Sequence, residues 1–253
     1  MTLRLVSQGP VARLLIDRAD KRNAMNQAMW EALPPLVAQA MAAPDVRILI
    51  LTSATPGMFC AGADIGEFAE ESGDEAWRIA NQAAIRACQY ALAHAEKPVI
   101  AAIDGDCIGG GCGLAMACDI RIASPTARLG ITPARLGIVY SLFDTRLLVD
   151  LVGPAQAKRV LFSAALMGAD EALRIGLIDE IADDPLAAAE TLAHSIAANA
   201  QHSVRAAKAI VGRILEGQTD DDAQTLAMFR DAFTRPDFTE GVAAFREKRR
   251  PRF

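Results

Sequence analysis

An α/β fold closed by a helical tail is predicted by three observations. Short apolar runs such as Arg47-Ile48-Leu49-Ile50-Leu51-Thr52 and Pro98 to Ile103 alternate with segments of helical periodicity. Hydrophobic residues make up 52% of the 253 residues but aromatics only 5%, so alanine and aliphatic side chains must fill the core. From Asp184 onward the pattern becomes helix after helix. These shifts divide the chain into an α/β core over 1–190 and a helical region over 191–253.

The elements follow in order. Leu3–Val6 and Val11–Ile16 read as strands joined by a Gly9-Pro10 turn. Asn26 is placed to cap a helix that begins near Gln27, and Pro34-Pro35 predicts a break within it. After the strand at Arg47–Thr52, the spacing of apolar residues predicts a long helix over Trp77–Ala93. Pro98–Ile103 reads as a buried strand, and Asp119–Ala123 alternates like a strand with one wet face. Helices are predicted over Pro185–Ala200, Ser203–Leu215, Asp221–Ala232 and Thr239–Lys248. There is no low-complexity linker and no fixed-period repeat.

The formal charge of −5 argues against nucleic acid as a partner. The opening residues lack a leader's apolar core, and no apolar run nears the roughly 18 residues that span a bilayer. Cys60, Cys88, Cys107, Cys112 and Cys118 lie in apolar segments without a CxxC pair, which predicts reduced, buried thiols and no metal site. A cytoplasmic protein that does not associate with membranes is expected. His94, His194 and His202 fall on helices or helix ends outside the glycine-bearing segments.

Two such segments carry the chemistry. Ile100 to Ala117 reads as a strand, an acidic turn, a short strand and the run Gly109-Gly110-Gly111 opening a small-residue helix. Bare glycines there let backbone N–H groups approach a ligand at the positive end of a helix, suiting a phosphate or an oxygen that becomes negative. The run lacks a complete GxGxxG with a distant acid, which disfavours a dinucleotide site. The second segment, Gly57 to Ile65, places Gly62 where an unusual backbone angle would turn the Ala63 N–H into a cavity.

Together with Asp17-Arg18-Ala19-Asp20-Lys21-Arg22-Asn23-Ala24-Met25-Asn26, Thr132–Gly137 and Phe238–Arg249, these segments resemble the crotonase superfamily, the enoyl-CoA hydratase/isomerase family, in order and spacing over essentially the whole chain. The resemblance implies a spiral of ββα units, a helical C-terminal trimerisation region, and a homotrimer or dimer of trimers. It implies an acyl-coenzyme A substrate, with coenzyme A entering as part of the thioester and no tightly bound cofactor. Ala63 and Gly110 N–H groups would hold the thioester oxygen, each worth about 3 kcal/mol to a developing enolate. Ala61, Asp64 and Ile65 would line the adenine end, and Lys21, Arg22 and Lys248 would meet phosphates. Lys248 stands in a tail, Arg246 to Arg252, with five basic residues against one acid.

The chain departs from the family where hydratases carry two glutamates: Gly113 and Pro133 occupy those positions. Thr132, Tyr140, Ser141 and Asp144 stand nearby, and Thr132 to Leu142 resembles methylmalonyl-CoA decarboxylases, although that branch has a histidine at the position of Ala63. By this resemblance Thr132 and Tyr140 would hold a substrate carboxylate. The leading expectation is therefore decarboxylation of a malonyl-type thioester through an enolate. The alternatives are an isomerase that moves a proton with Asp144, a weak hydratase, and a non-catalytic acyl-CoA-binding subunit. Asp144 also reads as a helix N-cap before Thr145-Arg146-Leu147-Leu148.

Overall fold

Antiparallel pairing of β1 (Leu3–Gln8) with β2 (Val11–Ile16) begins the computed structural model, which describes residues 2–253. The chain continues through α1 (Gln27–Ala42), β3 (Ile48–Ser53), β4 (Met58–Cys60), α2 (Ile65–Glu71) and α3 (Glu75–Ala93). Next come β5 (Val99–Ile103), β6 (Asp106–Ile108), α4 (Gly110–Met116), β7 (Ile120–Ala123), β8 (Arg128–Gly130) and α5 (Leu142–Ser163), which kinks at Gly153. β9 (Met167–Gly168), α6 (Ala169–Arg174), β10 (Glu180–Ile181) and α7 (Pro185–Ala197) close the layered part. Then follow α8 (Gln201–Leu215), α9 (Ala223–Ala232) and α10 (Pro236–Glu247).

The strands sort into two sheets by a repeated rule. In each of three successive units the first strand joins a large sheet, ordered β1-β2-β3-β5-β7-β10, and the second joins a small one, ordered β4-β6-β8-β9. From β2 to β10 the large sheet is parallel, and β4, β6 and β8 are parallel to one another. This is the expected spiral of ββα units.

Both faces of the large sheet are covered, so β3 and β5 are apolar at every position of their shared core. Leu49, Leu51, Ala101 and Ile103 pack with Trp30 and Leu33 of α1 and Leu92 of α3. Ile48, Ile50, Ile100 and Ala102 pack with Ala189, Ala193 and Ala197, one stripe of α7. The division expected at residue 190 thus falls inside a helix seated on the sheet, and the helices that stand off it begin with α8. No helix among the described residues is long and apolar enough to cross a membrane.

Two local expectations are corrected. Pro34 and Pro35 do not break α1, which runs unbroken from its Asn26 cap. Pro34 cannot donate to the Trp30 carbonyl, but the Cys88 thiol of α3 does so at 2.7 Å, replacing the bond the proline removed. Likewise β7 has no wet face at Arg121, which is only 3% exposed. Its guanidinium donates to the Cys118 carbonyl at 2.8 Å and to Asp179 at 2.6 Å, so the charge is buried with partners.

Candidate active site

The turns leaving β4, β6 and β8 lie side by side at the carboxyl ends of parallel strands, where open α/β sheets place their ligands. Between them, one face of α3 and the start of α5 lies a cavity of about 760 Å³.

One wall is backbone. Residues 61–64 pair with 22–25: Ala61 N–H donates to the Arg22 carbonyl, Met25 N–H to the Gly62 carbonyl, and Asp64 N–H to the Met25 carbonyl. Asn23 ties that strip to β4, donating to the Phe59 carbonyl at 3.0 Å and to Ser53 at 2.7 Å. Gly62 sits at φ +98°, and a Cβ there would lie 2.7 Å from the Ile108 carbonyl oxygen and 3.2 Å from the Gly110 nitrogen. That close approach requires glycine and sets the two turns against each other. Gly110 is the first residue of α4, so its N–H has no acceptor within the helix. Among the described residues neither it nor the Ala63 N–H has an acceptor elsewhere. A Cβ on Gly110 would stand 3.5 Å from the Ala63 nitrogen and 3.1 Å from the Trp30 ring, which forms the floor. Two adjacent unpaired donors of this kind can hold an oxygen that gains negative charge.

The other wall is side chains. Ser141, not Asp144, caps α5. Its hydroxyl accepts from the Asp144 N–H at 3.1 Å and donates to the Asp144 carboxylate at 2.5 Å. Asp144 turns inward and is 3% exposed. Its carboxylate also accepts from the Gln89 amide of α3, and the nearby Tyr140 hydroxyl donates to the Gly109 carbonyl at 3.4 Å. Burial pushes the Asp144 carboxyl above the usual carboxylate range, against the pull of the Ser141, Tyr140 and Gln89 side chains. Burial, reinforced by the Asp144 charge, raises the Tyr140 phenol well above its ordinary value.

This network fills the space above Gly113. A Cβ on Gly113 would lie 2.4 Å from Gln89 Nε2, 2.7 Å from Asp144 Oδ1 and 3.2 Å from the Tyr140 hydroxyl oxygen. Where a hydratase would extend a glutamate from α4, this chain brings a carboxylate from α5.

Of the residues singled out in the sequence, Ala61, Gly62, Ala63, Ile65, Gly109, Gly110, Thr132, Pro133, Tyr140, Ser141 and Asp144 line the cavity. Asp64, Arg22, Lys21 and Lys248 stand outside its wall. Asp64 caps α2 through the Gly66 and Glu67 N–H groups and pairs with Arg18 at 2.7 Å, which holds its carboxyl below the usual range. Arg22 pairs with Asp106, an acid also held by Arg128. Lys21 ends a short 3-10 turn, and Lys248 follows α10. Gln89, Trp30 and the cavity arginines Arg78, Arg86 and Arg135 were not singled out. Asn81 and Gln89, buried polar residues on a helix beside Cys88 and Leu92, were the available signal.

Fold and cavity together define a crotonase-type protein. The match to the family model for enoyl-CoA hydratase/isomerase covers residues 7–253, and the chain belongs to that family. It is 35% identical to the short-chain-enoyl-CoA hydratase of Clostridium acetobutylicum over 97% of this chain and 95% of that one. It is 36% identical to the crotonyl-CoA hydratase of Syntrophomonas wolfei over 98% and 96%. The crystal structure of an enoyl-CoA hydratase/isomerase family protein from Hyphomonas neptunium superposes with a TM-score of 0.97 at 41% identity, covering 100% of this chain and 97% of that one.

Proposed function

We propose that this chain shifts the double bond of an enoyl-CoA thioester, using Asp144 to move one proton. The observation that carries this reading is the buried Asp144 carboxyl, standing over Gly113 beside the unpaired Ala63 and Gly110 N–H groups. Removing a proton from the α-carbon sends the C–H electron pair into the thioester, and the charge gathers on the carbonyl oxygen between the two donors. Asp144, now protonated and exchanging its proton with solvent, gives a proton to the γ-carbon. The double bond moves into conjugation and no atom is gained or lost. A raised carboxyl pKa suits a group that must both take and give a proton. Addition of water across the bond by the family's two-glutamate route lacks its second carboxylate, because among the described residues Asp144 is the only acid lining the cavity. The step needs no resident cofactor. Ala61 and Ile65 flank the coenzyme A end, with Asp64 behind them. Lys21 and Lys248 have no ion-pair partner among the described residues and so are open to phosphates, whereas Arg22 would have to leave Asp106.

A second reading, the malonyl-type decarboxylation, is favoured by Thr132. Its Oγ1 faces Gly109, 3.9 Å from where a Cβ there would lie, and makes no hydrogen bond among the described residues. It is thus open to a substrate carboxylate, while the Tyr140 hydroxyl already donates to the Gly109 carbonyl. Incubation in D2O with a 3-enoyl-CoA, a 2-enoyl-CoA and methylmalonyl-CoA, followed by mass spectrometry, separates the readings. Expected is deuterium-labelled 2-enoyl-CoA from the 3-enoyl substrate, reduced about 10²- to 10⁴-fold in Asp144→Asn. Loss of CO2 that survives in Asp144→Asn would install the decarboxylase instead. Fast hydration would overturn both, and tight binding without turnover would leave an acyl-CoA-binding subunit.

The trimer, or dimer of trimers, is proposed to form through α8–α10, which expose Ile214, Phe229, Phe233 and Phe245. Sedimentation showing a stable monomer would refute it.

A further inference from the structure

We infer that Arg86 reads an anionic group at the far end of the acyl chain, so that the preferred substrates are thioesters of dicarboxylic acids. The inference rests on the reading of the cavity as an acyl-CoA site. The wall is cationic: Arg78, Arg86 and Arg135 line it, and among the described residues Asp144 is its only acid. The Arg78 guanidinium is committed to the Ser72 carbonyl at 2.6 Å and the Gly73 carbonyl at 3.2 Å. Arg86 has no carboxylate or carbonyl partner among the described residues. Its guanidinium carbon instead lies 5.5 Å from the ring centroids of both Tyr90 and Phe143. An arginine held against two aromatic rings is fixed without using its N–H edge, which stays free to grip a carboxylate in bidentate fashion.

Position argues for the acyl end. Arg86 precedes Gln89 by three residues on α3, so the two share a face, and Gln89 holds Asp144. Phe143 is the chain neighbour of Asp144. The guanidinium therefore stands on the Asp144 side of the paired Ala63 and Gly110 donors. Ala61 and Ile65 belong to the turn on the other side, where coenzyme A is placed. A group that reaches Arg86 must pass the proton-transfer carboxyl, as the distal acyl carbons do. This is a separate place from Thr132, which would meet a carboxylate borne on the α-carbon.

A coenzyme A phosphate offers the same anionic chemistry, and the experiment must separate the two sources. Dissociation constants are measured by calorimetry for saturated thioesters, glutaryl and adipyl against pentanoyl and hexanoyl, each on coenzyme A and on pantetheine. Proteins are wild type, Arg86→Gln and Arg86→Lys; the side chain is exposed, so folding is not at risk. The wild type is expected to favour at least one dicarboxylic thioester on both carriers. Arg86→Gln is expected to reduce that preference by about 10- to 100-fold, and Arg86→Lys by less. A wild type that prefers the neutral acyl chains, or a preference unmoved in Arg86→Gln, would overturn the inference. So would a loss confined to coenzyme A thioesters of every acyl type, which would make Arg86 a phosphate contact. Because the readout is binding, absence of isomerisation would sink the proposed reaction without touching this result.

Discussion

The two walls of the cavity are made of opposite materials. On one side Gly62, Ala63, Gly109 and Gly110 present backbone alone; on the other Gln89, Tyr140, Ser141 and Asp144 present side chains alone. The backbone wall is held by close approach, and its donors are the same whatever residue supplies them. The side-chain wall is held by hydrogen bonds converging on one carboxylate, and every member has a specific chemistry. The difference separates what the family shares from what a member does with it. Stabilising charge on a thioester oxygen needs only N–H groups in place, while the fate of the proton depends on which acid faces the α-carbon.

The largest expected effect tests the backbone wall. Gly110→Pro removes one donor at a helix position that tolerates proline, so kcat should fall about 10²- to 10³-fold with the helix content retained in circular dichroism. Unchanged turnover in the folded variant would mean that charge is stabilised elsewhere. A smaller effect is expected from Gln89→Met, which takes one hydrogen bond from the ionised Asp144 and pushes its pKa further up. The acid limb of the pH–rate profile should then move upward by about one pH unit, and an unmoved limb would show that Gln89 does not act on the carboxylate.

The smallest effect is on stability. The Asp144 carboxyl has a raised pKa in the folded state, so the native protein binds more protons than the unfolded chain between the two values. Ionisation of Asp144 therefore costs stability as pH rises above the unfolded value of about 3.9. Asp144→Asn lacks this cost. Its melting temperature relative to wild type should shift in its favour as the pH rises from about 4. A constant offset would show that the network compensates the burial fully.

The backbone wall was legible in the sequence because it depends on glycines at fixed places in short segments: Gly62 and Gly109-Gly110-Gly111 announce a conformation before any neighbour is known. The strands of the sheet were legible for a similar reason, since Val11–Ile16 and Val99–Ile103 are apolar runs of strand length. The side-chain wall was not. Asp144 read more readily as a helix cap than as a base, and only packing shows that Ser141 takes that task and frees Asp144 to turn inward. Gln89 gave only a faint local sign, a polar residue between apolar neighbours on its helix, because its partner lies 55 residues away. Arg121 and Pro34 misled for one reason: each looks unfavourable alone, and each is satisfied by a residue from another element, Asp179 for the first and Cys88 for the second. Lys21, Arg22 and Lys248 were suggested by charge, and charge does not say which cavity a side chain faces.

The filled space above Gly113 also bears on how this protein can change over generations. A side chain at 113 would meet the ends of the Gln89 and Asp144 side chains, so a glutamate there would displace both before it reached the cavity. Residues 89, 113 and 144 share one small volume, so the effect of a substitution at any one of them depends on what stands at the other two.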